Sequence, residues 1–229
     1  MRSGRIAAAS ACLFASCVHT PHEPQRSSPA PPVIAREPQN PKGHVGYEAN
    51  LIAFVGRKID VQRIERAVNF DAEYFARFEV LKVVYGTYAD KEISFSSFTH
   101  TGELKLEKHE LGLVYVSKYD GRFVQQKYLF QPVYPTYDGR WAGCGDPYAG
   151  MPDVHRHSVR PEPIVFDPSV RFDISGLSAN NIAARFPAPM FRHDGGTAIC
   201  LMGNYPQELF RVMAEGVLKS RGVFGPGTD

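Results

Sequence analysis

The chain has 229 residues, of which 43% are hydrophobic and 22% are charged, a balance typical of a globular protein with one domain or two small ones. Its 26 basic and 24 acidic residues give a formal charge of +2, and the excess comes from Arg2 and Arg5, because residues 1–16 contain no acidic side chain. Without that segment the charge is balanced and lysine and arginine form no dense cluster, which argues against nucleic acid as a partner.

Residues 1–16 have the pattern of an export signal. Two arginines are followed by residues 6–16, an uncharged run of mostly small or apolar side chains. A run of about eleven residues is too short to cross the hydrocarbon core of a bilayer, which needs roughly twenty helical residues. The pattern therefore predicts a signal peptide that is removed, and not a membrane span.

The end of this segment, FASC, resembles the lipobox of bacterial lipoproteins. Small residues occupy the two positions before Cys17, and Phe14 stands where leucine is usual. The resemblance implies cleavage before Cys17 and acylation of its sulfur, which would anchor the chain in a bilayer. Cys12 is a weaker candidate, because the apolar run before it is short. Because Val18 follows and not aspartate, the resemblance also implies the outer membrane, with the folded domain in the periplasm or at the surface. Ordinary secretion and a cytoplasmic chain with a fortuitous apolar start are the alternatives.

Residues 17–45 are predicted to form a disordered tether. Between residues 18 and 44 there are seven prolines, mixed with Ser, Gln, Glu, Lys and Arg and almost no bulky apolar side chains. Such a stretch cannot bury enough apolar surface to offset its ordering entropy, so it stays extended. A single β-rich domain is expected after it, over residues 46–229.

The first part of that domain, residues 46–133, is predicted to contain five strands. Apolar and alternating runs define them, and Gly86, Gly102 and Asp120-Gly121 provide turns between them. The predicted strands cover residues 51–61, 74–85, 93–98, 111–117 and 123–130. Five strands in succession indicate an antiparallel meander or a small barrel.

Three segments within about residues 50–130 resemble the netrin-like, metalloproteinase-inhibitor-like OB-fold domain: LIAFVGRKIDV, ARFEVLKVVYGTYADKEISF and HELGLVYVSKYDGRF. The resemblance implies a small OB-like barrel. Together with the patterns in the rest of the chain, it leads us to expect a mainly β fold, a small antiparallel OB-like barrel with long Pro/Gly-rich loops and a C-terminal α-helix. Protease inhibition is not carried over, because the usual cysteine framework is missing and a long tether follows Cys17. The chain is also similar to uncharacterised bacterial exported proteins.

The second part of the domain is predicted to be less regular. Proline and glycine are dense from residue 134 onward, so residues 134–203 are expected to form a long loop region with one short strand near residues 164–166. Residues 204–222 are predicted to form a helix that begins near Pro206. Its apolar stripe, which is expected to pack on the barrel, consists of Leu209, Phe210, Met213, Val217 and Leu218.

Two cysteines, Cys144 and Cys200, remain in the domain after cleavage at the lipobox. In an oxidising compartment such a pair most often forms a disulfide, and the separation of 56 residues would constrain the unfolded chain. That constraint is worth roughly 3–4 kcal/mol in the entropy model. Two buried free thiols are one alternative. A catalytic Cys144 thiolate, activated by a histidine, is another.

A candidate metal site lies in the loop region. Asp153, His155 and His157 recur at every second residue, so on an extended segment they would share one side, and His193 and Asp194 could complete a zinc or copper site if the loops converge. The alternative is that these side chains are solvated loop residues. No other cofactor is expected.

A second candidate site is the loop around residues 137–148. Asp138, Arg140, Trp141 and Asp146 lie on this glycine-rich segment and could recognise a polar ligand. The alternative is that Trp141 closes the open end of the barrel and the glycines allow tight turns.

These patterns lead to one functional hypothesis and one alternative. The first is an envelope lipoprotein, held in the bilayer through Cys17, whose domain is a non-enzymatic module that binds an envelope protein or a small ligand. The alternative is a metal-assisted hydrolase that uses His155, His157, His193 and nearby aspartates.

Overall fold

A computed structural model describes residues 50–65, 71–100, 104–149, 151 and 158–223 of the chain. The predicted signal peptide, Cys17 and the tether lie outside the described residues. The described part is mainly β, as predicted, and carries a helix near its C-terminal end. None of its helices combines the length and the apolar character needed to cross a membrane.

The first half forms five long strands and one short helix, close to the bounds that the alternation predicts. The elements are β1 (Leu51–Ile64), β2 (Ala72–Tyr85), β3 (Glu92–Thr99), α1 (Lys105–Lys108), β4 (Leu111–Tyr119) and β5 (Arg122–Pro132). The strands close into a ring in the order β1-β2-β3-β5-β4, because β1 pairs with both β2 and β4. We call this unit the five-stranded ring.

One pairing in the ring departs from the antiparallel arrangement that the sequence predicts. β3 and β5 run parallel where Ser96 pairs with Val124, whereas the other four pairings are antiparallel. Parallel strands need a crossover connection between them. Here the chain from β3 passes through α1 and β4 before β5 returns beside β3.

The first strand shows why its sequence starts as a continuous apolar run. Its Ile52 and Phe54 join one buried cluster to which all five strands and α1 contribute. The alternate residues Leu51, Ala53 and Val55 belong to a second buried cluster, formed with the C-terminal helix. Because both faces of β1 are buried at this end, alternation with polar residues begins only later in the strand.

The second half has more regular structure than the predicted loop region. Its elements are β6 (Tyr134–Pro135), β7 (Trp141–Cys144), β8 (Glu162–Pro163), β9 (Arg171–Asp173), α2 (Ala179–Arg185), β10 (Phe191–Asp194), β11 (Thr197–Cys200) and β12 (Met202–Asn204). Two small sheets result, with the orders β6-β7-β12-β8 and β10-β11-β9. The expected strand near residues 164–166 is replaced by β8 and by a single bridge between Thr136 and Phe166.

The C-terminal helix is shorter and less regular than predicted. It consists of α3 (Pro206–Met213) and a π-helical segment, Ala214–Leu218, in which Gly216 has non-helical backbone angles. The predicted apolar stripe does pack on the five-stranded ring. The Phe210 ring stacks on Tyr85 of β2 at a centroid distance of 4.7 Å and lies near Tyr115 of β4.

Candidate binding site

The strand β5 contains a large bulge where it pairs with β4. Val114 of β4 pairs with Phe130, and Val116 pairs with Gln125, so residues 126–129 of β5 stand opposite the single residue Tyr115. Side-chain hydrogen bonds hold the extra residues in place. The Gln125 amide donates to the carbonyl oxygen of Leu129 at 2.9 Å, and the Gln126 amide donates to the hydroxyl of Ser117 on β4 at 2.9 Å. Bulges of this kind re-aim side chains and are common beside functional sites.

The bulge holds Tyr128 in an unusual backbone conformation. Its φ of 67° lies in the left-handed region, which is unfavourable for a bulky side chain. Such a conformation costs on the order of 1–3 kcal/mol and persists only where the surroundings enforce it. The Tyr128 hydroxyl lies 2.6 Å from Nδ1 of His100, and the side chain stays 45% exposed.

An ion pair fixes the other side of the bulge. Lys127 Nζ lies 2.6 Å from Asp71 Oδ2 and 5.4 Å from the centre of the Tyr128 ring. The hydrogen bond to Asp71 is the main cause that raises the pKa of Lys127. The second oxygen of the same carboxylate lies 3.5 Å from Nδ1 of His100. The tip of the bulge is therefore bound to the residue that precedes β2 and to the residue that follows β3.

A cavity of about 210 Å³ lies between the bulge and α1. Its lining consists of Leu104, Lys105, Leu106, Lys108, Gln125, Tyr128 and Phe130. Gln125 is buried and accepts a hydrogen bond from Ser97 at 2.5 Å, so its orientation is fixed. The Phe130 ring lies over Gly112 of β4, where a Cβ atom would overlap it. The lining thus combines a preformed apolar floor with a polar rim. We call this cavity with its lining the bulge cavity.

Three lysines lie on or near the rim of the bulge cavity. Lys105 and Lys108 lie on its rim, and Lys58 donates to the carbonyl oxygen of Glu107 at 2.6 Å, at the end of α1. The pKa of the neighbouring His109 is lowered mainly by burial, and the three lysines lower it further. Burial and the lysines together thus disfavour protonation of His109.

The sequence does not single out the residues of the bulge cavity as a site. Residues 123–130 are predicted as one regular strand, although the polar run Gln125-Gln126-Lys127 interrupts its apolar character. That interruption is the only sequence signal of the bulge. The left-handed conformation of Tyr128 has no signal, since tyrosine is a common strand residue.

The predicted ligand loop forms a different, self-contained cluster. The Arg140 guanidinium binds the Asp138 carboxylate with both Nε and Nη2, at 2.8 and 2.6 Å, and lies 3.6 Å from the centre of the Tyr205 ring. Hydrogen bonds from Arg140 and then from Thr136 hold the pKa of Asp138 down to about 2. Asp146 accepts from a backbone N–H in its own turn. The charged groups of this loop thus have partners within the protein.

Trp141 does not belong to the cluster inside the five-stranded ring. It packs against the second cluster, which includes α3. The residues that do join the cluster inside the ring are Leu104, which directly precedes α1, and Leu106, which lies within α1. The helix α1 therefore supplies the side chains that cover this end of the ring.

Of the five candidate metal ligands, the structure describes two, His193 and Asp194. Asp153, His155 and His157 lie outside the described residues. His193 Nε2 lies 2.8 Å from the carbonyl oxygen of Phe186, and Asp194 pairs with β11 at the end of β10. Within the described ranges, no three His, Cys, Asp or Glu side chains are grouped as metal ligands would be. The metal site remains a prediction, and a zinc titration of the His155→Ala/His157→Ala variant against the parent would test it.

The predicted disulfide between Cys144 and Cys200 is confirmed, with the two Cα atoms 6.2 Å apart. It joins β7 of one small sheet to β11 of the other. Cys144 also pairs in the ladder of its own sheet with Gly203 of β12, the strand that follows β11 in the chain. A bonded Cys144 cannot act as a thiolate nucleophile. The free-thiol and catalytic-thiol alternatives are therefore wrong.

Comparison with protein-family models, curated proteins and solved structures finds no match to this chain. Its function is therefore argued from the geometry of its own residues.

Proposed function

We propose that this protein is a lipid-anchored envelope protein whose domain, an OB-like barrel, binds a small ligand in the bulge cavity without catalysing a reaction. The observation that carries the proposal is the bulge cavity itself, which lies beside a tyrosine held in a left-handed conformation. Cavities with an apolar floor and a few fixed polar groups are the usual form of small-molecule sites.

Three features of the ring support the OB-like assignment. The strand order β1-β2-β3-β5-β4 is a five-stranded closed arrangement, β3 and β5 meet in parallel, and α1 lies between β3 and β4. OB folds are five-stranded Greek-key barrels that serve as binding scaffolds. Fold alone does not give function, so the ligand site is argued from the cavity.

The bulge supports binding because it is held open against a local energetic cost. A regular β5 would pair continuously with β4, and the residues at the tip would lie in the ladder. Instead, Lys127 and Tyr128 are fixed by Asp71 and His100, outside the regular pairing. Backbone strain of this kind is concentrated at ligand sites and active sites.

Methyl-resolved NMR spectroscopy tests the cavity as a binding site. The protein, labelled at its leucine methyl groups, is titrated with a library of small aromatic and aliphatic compounds. We expect at least one compound to shift the methyl signals of Leu104 and Leu106, which line the cavity, and to leave those of Leu201, which is 39% exposed elsewhere, unchanged. If no compound at millimolar concentration moves the two cavity leucines, the proposed site is wrong.

The lipid anchor is a separate part of the proposal and has its own test. Metabolic labelling with a palmitate analogue should be lost in a Cys17→Ser variant and kept in Cys12→Ser. Acylation at Cys17 would place several acyl chains in a bilayer, each buried methylene contributing about 0.8 kcal/mol. Equal labelling of the two variants would contradict anchoring through Cys17.

A further inference from the structure

We infer that the ligand of the bulge cavity is a small uncharged aromatic compound whose carbonyl oxygen, or a similar acceptor, takes a hydrogen bond from the side-chain amide of Gln125. This inference rests on the proposed binding function and specifies its ligand class. Three observations carry it: the volume of the cavity, the apolar and aromatic side chains of its lining, and the fixed orientation of a buried amide within that lining.

The volume and the apolar lining define the body of the ligand. The cavity measures about 210 Å³, and its lining includes Leu104, Leu106 and the two aromatic residues Tyr128 and Phe130. An apolar cavity of about 150 Å³ accommodates benzene, whereas sites for drug-sized molecules begin at about 300 Å³. Aromatic rings also pack favourably against one another when they are offset or meet edge to face. The bulge cavity therefore suits a single aromatic ring with one small substituent.

Gln125 places a buried polar group in the same lining. The residue is 6% exposed, and its amide nitrogen donates to the carbonyl oxygen of Leu129 at 2.9 Å. Because a carbonyl oxygen can only accept, the amide nitrogen must lie on the side of Leu129. The amide oxygen then lies on the side of Ser97, whose hydroxyl donates to it at 2.5 Å. Two hydrogen bonds thus fix the orientation of this amide before any ligand binds.

The fixed amide retains a donor for a ligand. A glutamine side chain has two N–H donors, and the bond to Leu129 uses one of them. Among the residues that the structure describes, none takes the second N–H. A ligand that fills the cavity separates this N–H from water, so it binds well only if it supplies an acceptor in place of the water. An ion at this depth would lose its hydration, which one neutral amide does not replace, so the acceptor is expected to be uncharged.

Two probes of nearly the same shape test the hydrogen bond on the full chain. Acetophenone has a carbonyl oxygen where 2-phenylpropene has a CH₂ group. In NMR spectra, both probes should shift the methyl signals of Leu104 and Leu106, but only acetophenone should move a side-chain amide proton of Gln125 downfield. The side-chain amide of Gln126, which lies in the same bulge and donates to Ser117, is the internal control and should not follow.

Isothermal titration calorimetry gives the affinities of the two probes. Each association constant is divided by the partition coefficient of the probe from water into cyclohexane, so that the difference in hydrophobicity is removed. The corrected affinity of acetophenone should then be about tenfold higher, the ratio that one net hydrogen bond provides. We call this ratio the carbonyl advantage.

Variants separate the amide of Gln125 from the general shape of the bulge. Gln125→Met removes the amide at a similar side-chain volume and should abolish the carbonyl advantage. Gln126→Met is the matched control, because Gln126 is similarly buried in the same bulge; it should keep the carbonyl advantage even where a looser bulge weakens both probes. Ser97→Ala removes the bond that orients Gln125 and should reduce the carbonyl advantage. Thermal unfolding establishes that each variant is folded, and if Gln125→Met is not, the amide proton of the parent decides.

The outcomes distinguish the two proposals. If acetophenone shifts the cavity leucines but not the Gln125 amide, or keeps the carbonyl advantage in a folded Gln125→Met variant, the inferred hydrogen bond is wrong and the binding function stands. If other compounds of the library shift the cavity leucines and neither probe does, the inferred ligand class is wrong. If no compound shifts them, the proposed function and the inference fail together.

Discussion

Removal of the disulfide should destabilise the domain by an amount that follows from its position in the chain. The bond between Cys144 and Cys200 closes a loop of 56 residues, for which the entropy model gives about 4 kcal/mol at 25 °C. A domain of this size typically has a free energy of unfolding of about 5–15 kcal/mol. The Cys144→Ser/Cys200→Ser variant should therefore lose about 3–4 kcal/mol and remain folded.

Urea unfolding of the variant and the parent measures this loss, in a background where Cys12 and Cys17 are serine. The chain has a single tryptophan, Trp141, and it lies on β7 with Cys144, so its fluorescence reports the sheet that the bond joins. Far-UV circular dichroism reports the long strands of the ring. Both signals should shift to lower urea concentration, and the slope should stay the same or rise, because the unfolded chain without the cross-link is less compact and exposes more surface.

The reduced parent is the control for the serine substitutions. Cys200 is buried, so serine at that position also places a hydroxyl in an apolar cluster. If chain entropy is the cause, the parent in the presence of a phosphine reductant should lose nearly as much as the double variant. A loss below about 1 kcal/mol, in a parent whose bond is established by mass spectrometry, would refute the entropy argument.

Two further predictions concern the second half of the domain. The pKa of Asp138 is lowered to about 2, so its pairing with Arg140 contributes stability that is present above the ordinary carboxyl pKa and is lost as pH falls through the folded value. With the discount for its exposure, Asp138→Asn should cost about 1 kcal/mol near pH 6, and urea midpoints should converge with the parent toward about pH 2. Gly203→Ala should cost about 2 kcal/mol or more in the same assay, because a Cβ there would overlap the carbonyl oxygen of Gly143, whereas Gly176→Ala, with open space around it, should be tolerated.

The long strands of the ring could be predicted from sequence because each repeats its pattern over many residues. β2, for example, alternates buried Tyr74, Ala76 and Phe78 with exposed Phe75 and Arg77. The pairing of the strands with one another could not be predicted in the same way. The closure of β1 on β4 and the parallel meeting of β3 with β5 join segments far apart in the chain, and no local pattern encodes such a pairing.

The small sheets could not be predicted, because their strands are two to four residues long. Such a strand is too short to show a period, and proline occupies some of its positions, as Pro163 does in β8. The disulfide, by contrast, could be predicted from the cysteine count and the expectation of an oxidising compartment. The bond also links the two small sheets, which no sequence pattern predicts, because Cys144 lies on one sheet and Cys200 on the other.

The bulge cavity could not be predicted from sequence, because it depends on an irregularity, the bulge, within the otherwise regular strand β5. The sequence predicts sites in the loop of Asp138 and Arg140 and around His193, because charged or metal-binding residue types are dense there. In the structure, the two loop residues bind each other, and the cavity lies between a strand and a four-residue helix. Residue type alone does not distinguish a charge that is paired within the protein from one that faces a ligand.

The bulge and α1 together explain how a closed ring can contain a ligand-sized cavity. A ring of five strands has room for little more than its own side chains. Residues 126–129 enlarge β5 locally, and the space beneath them is bounded by Leu104 and Leu106 and not by a pairing strand. Because Leu104 and Leu106 are buried while Lys105 and Lys108 are exposed, the same short segment covers the ring and supplies polar groups at the entrance of the cavity. Substitution of the exposed lysines should therefore alter the entrance of the cavity, while the leucines that stabilise the ring stay in place.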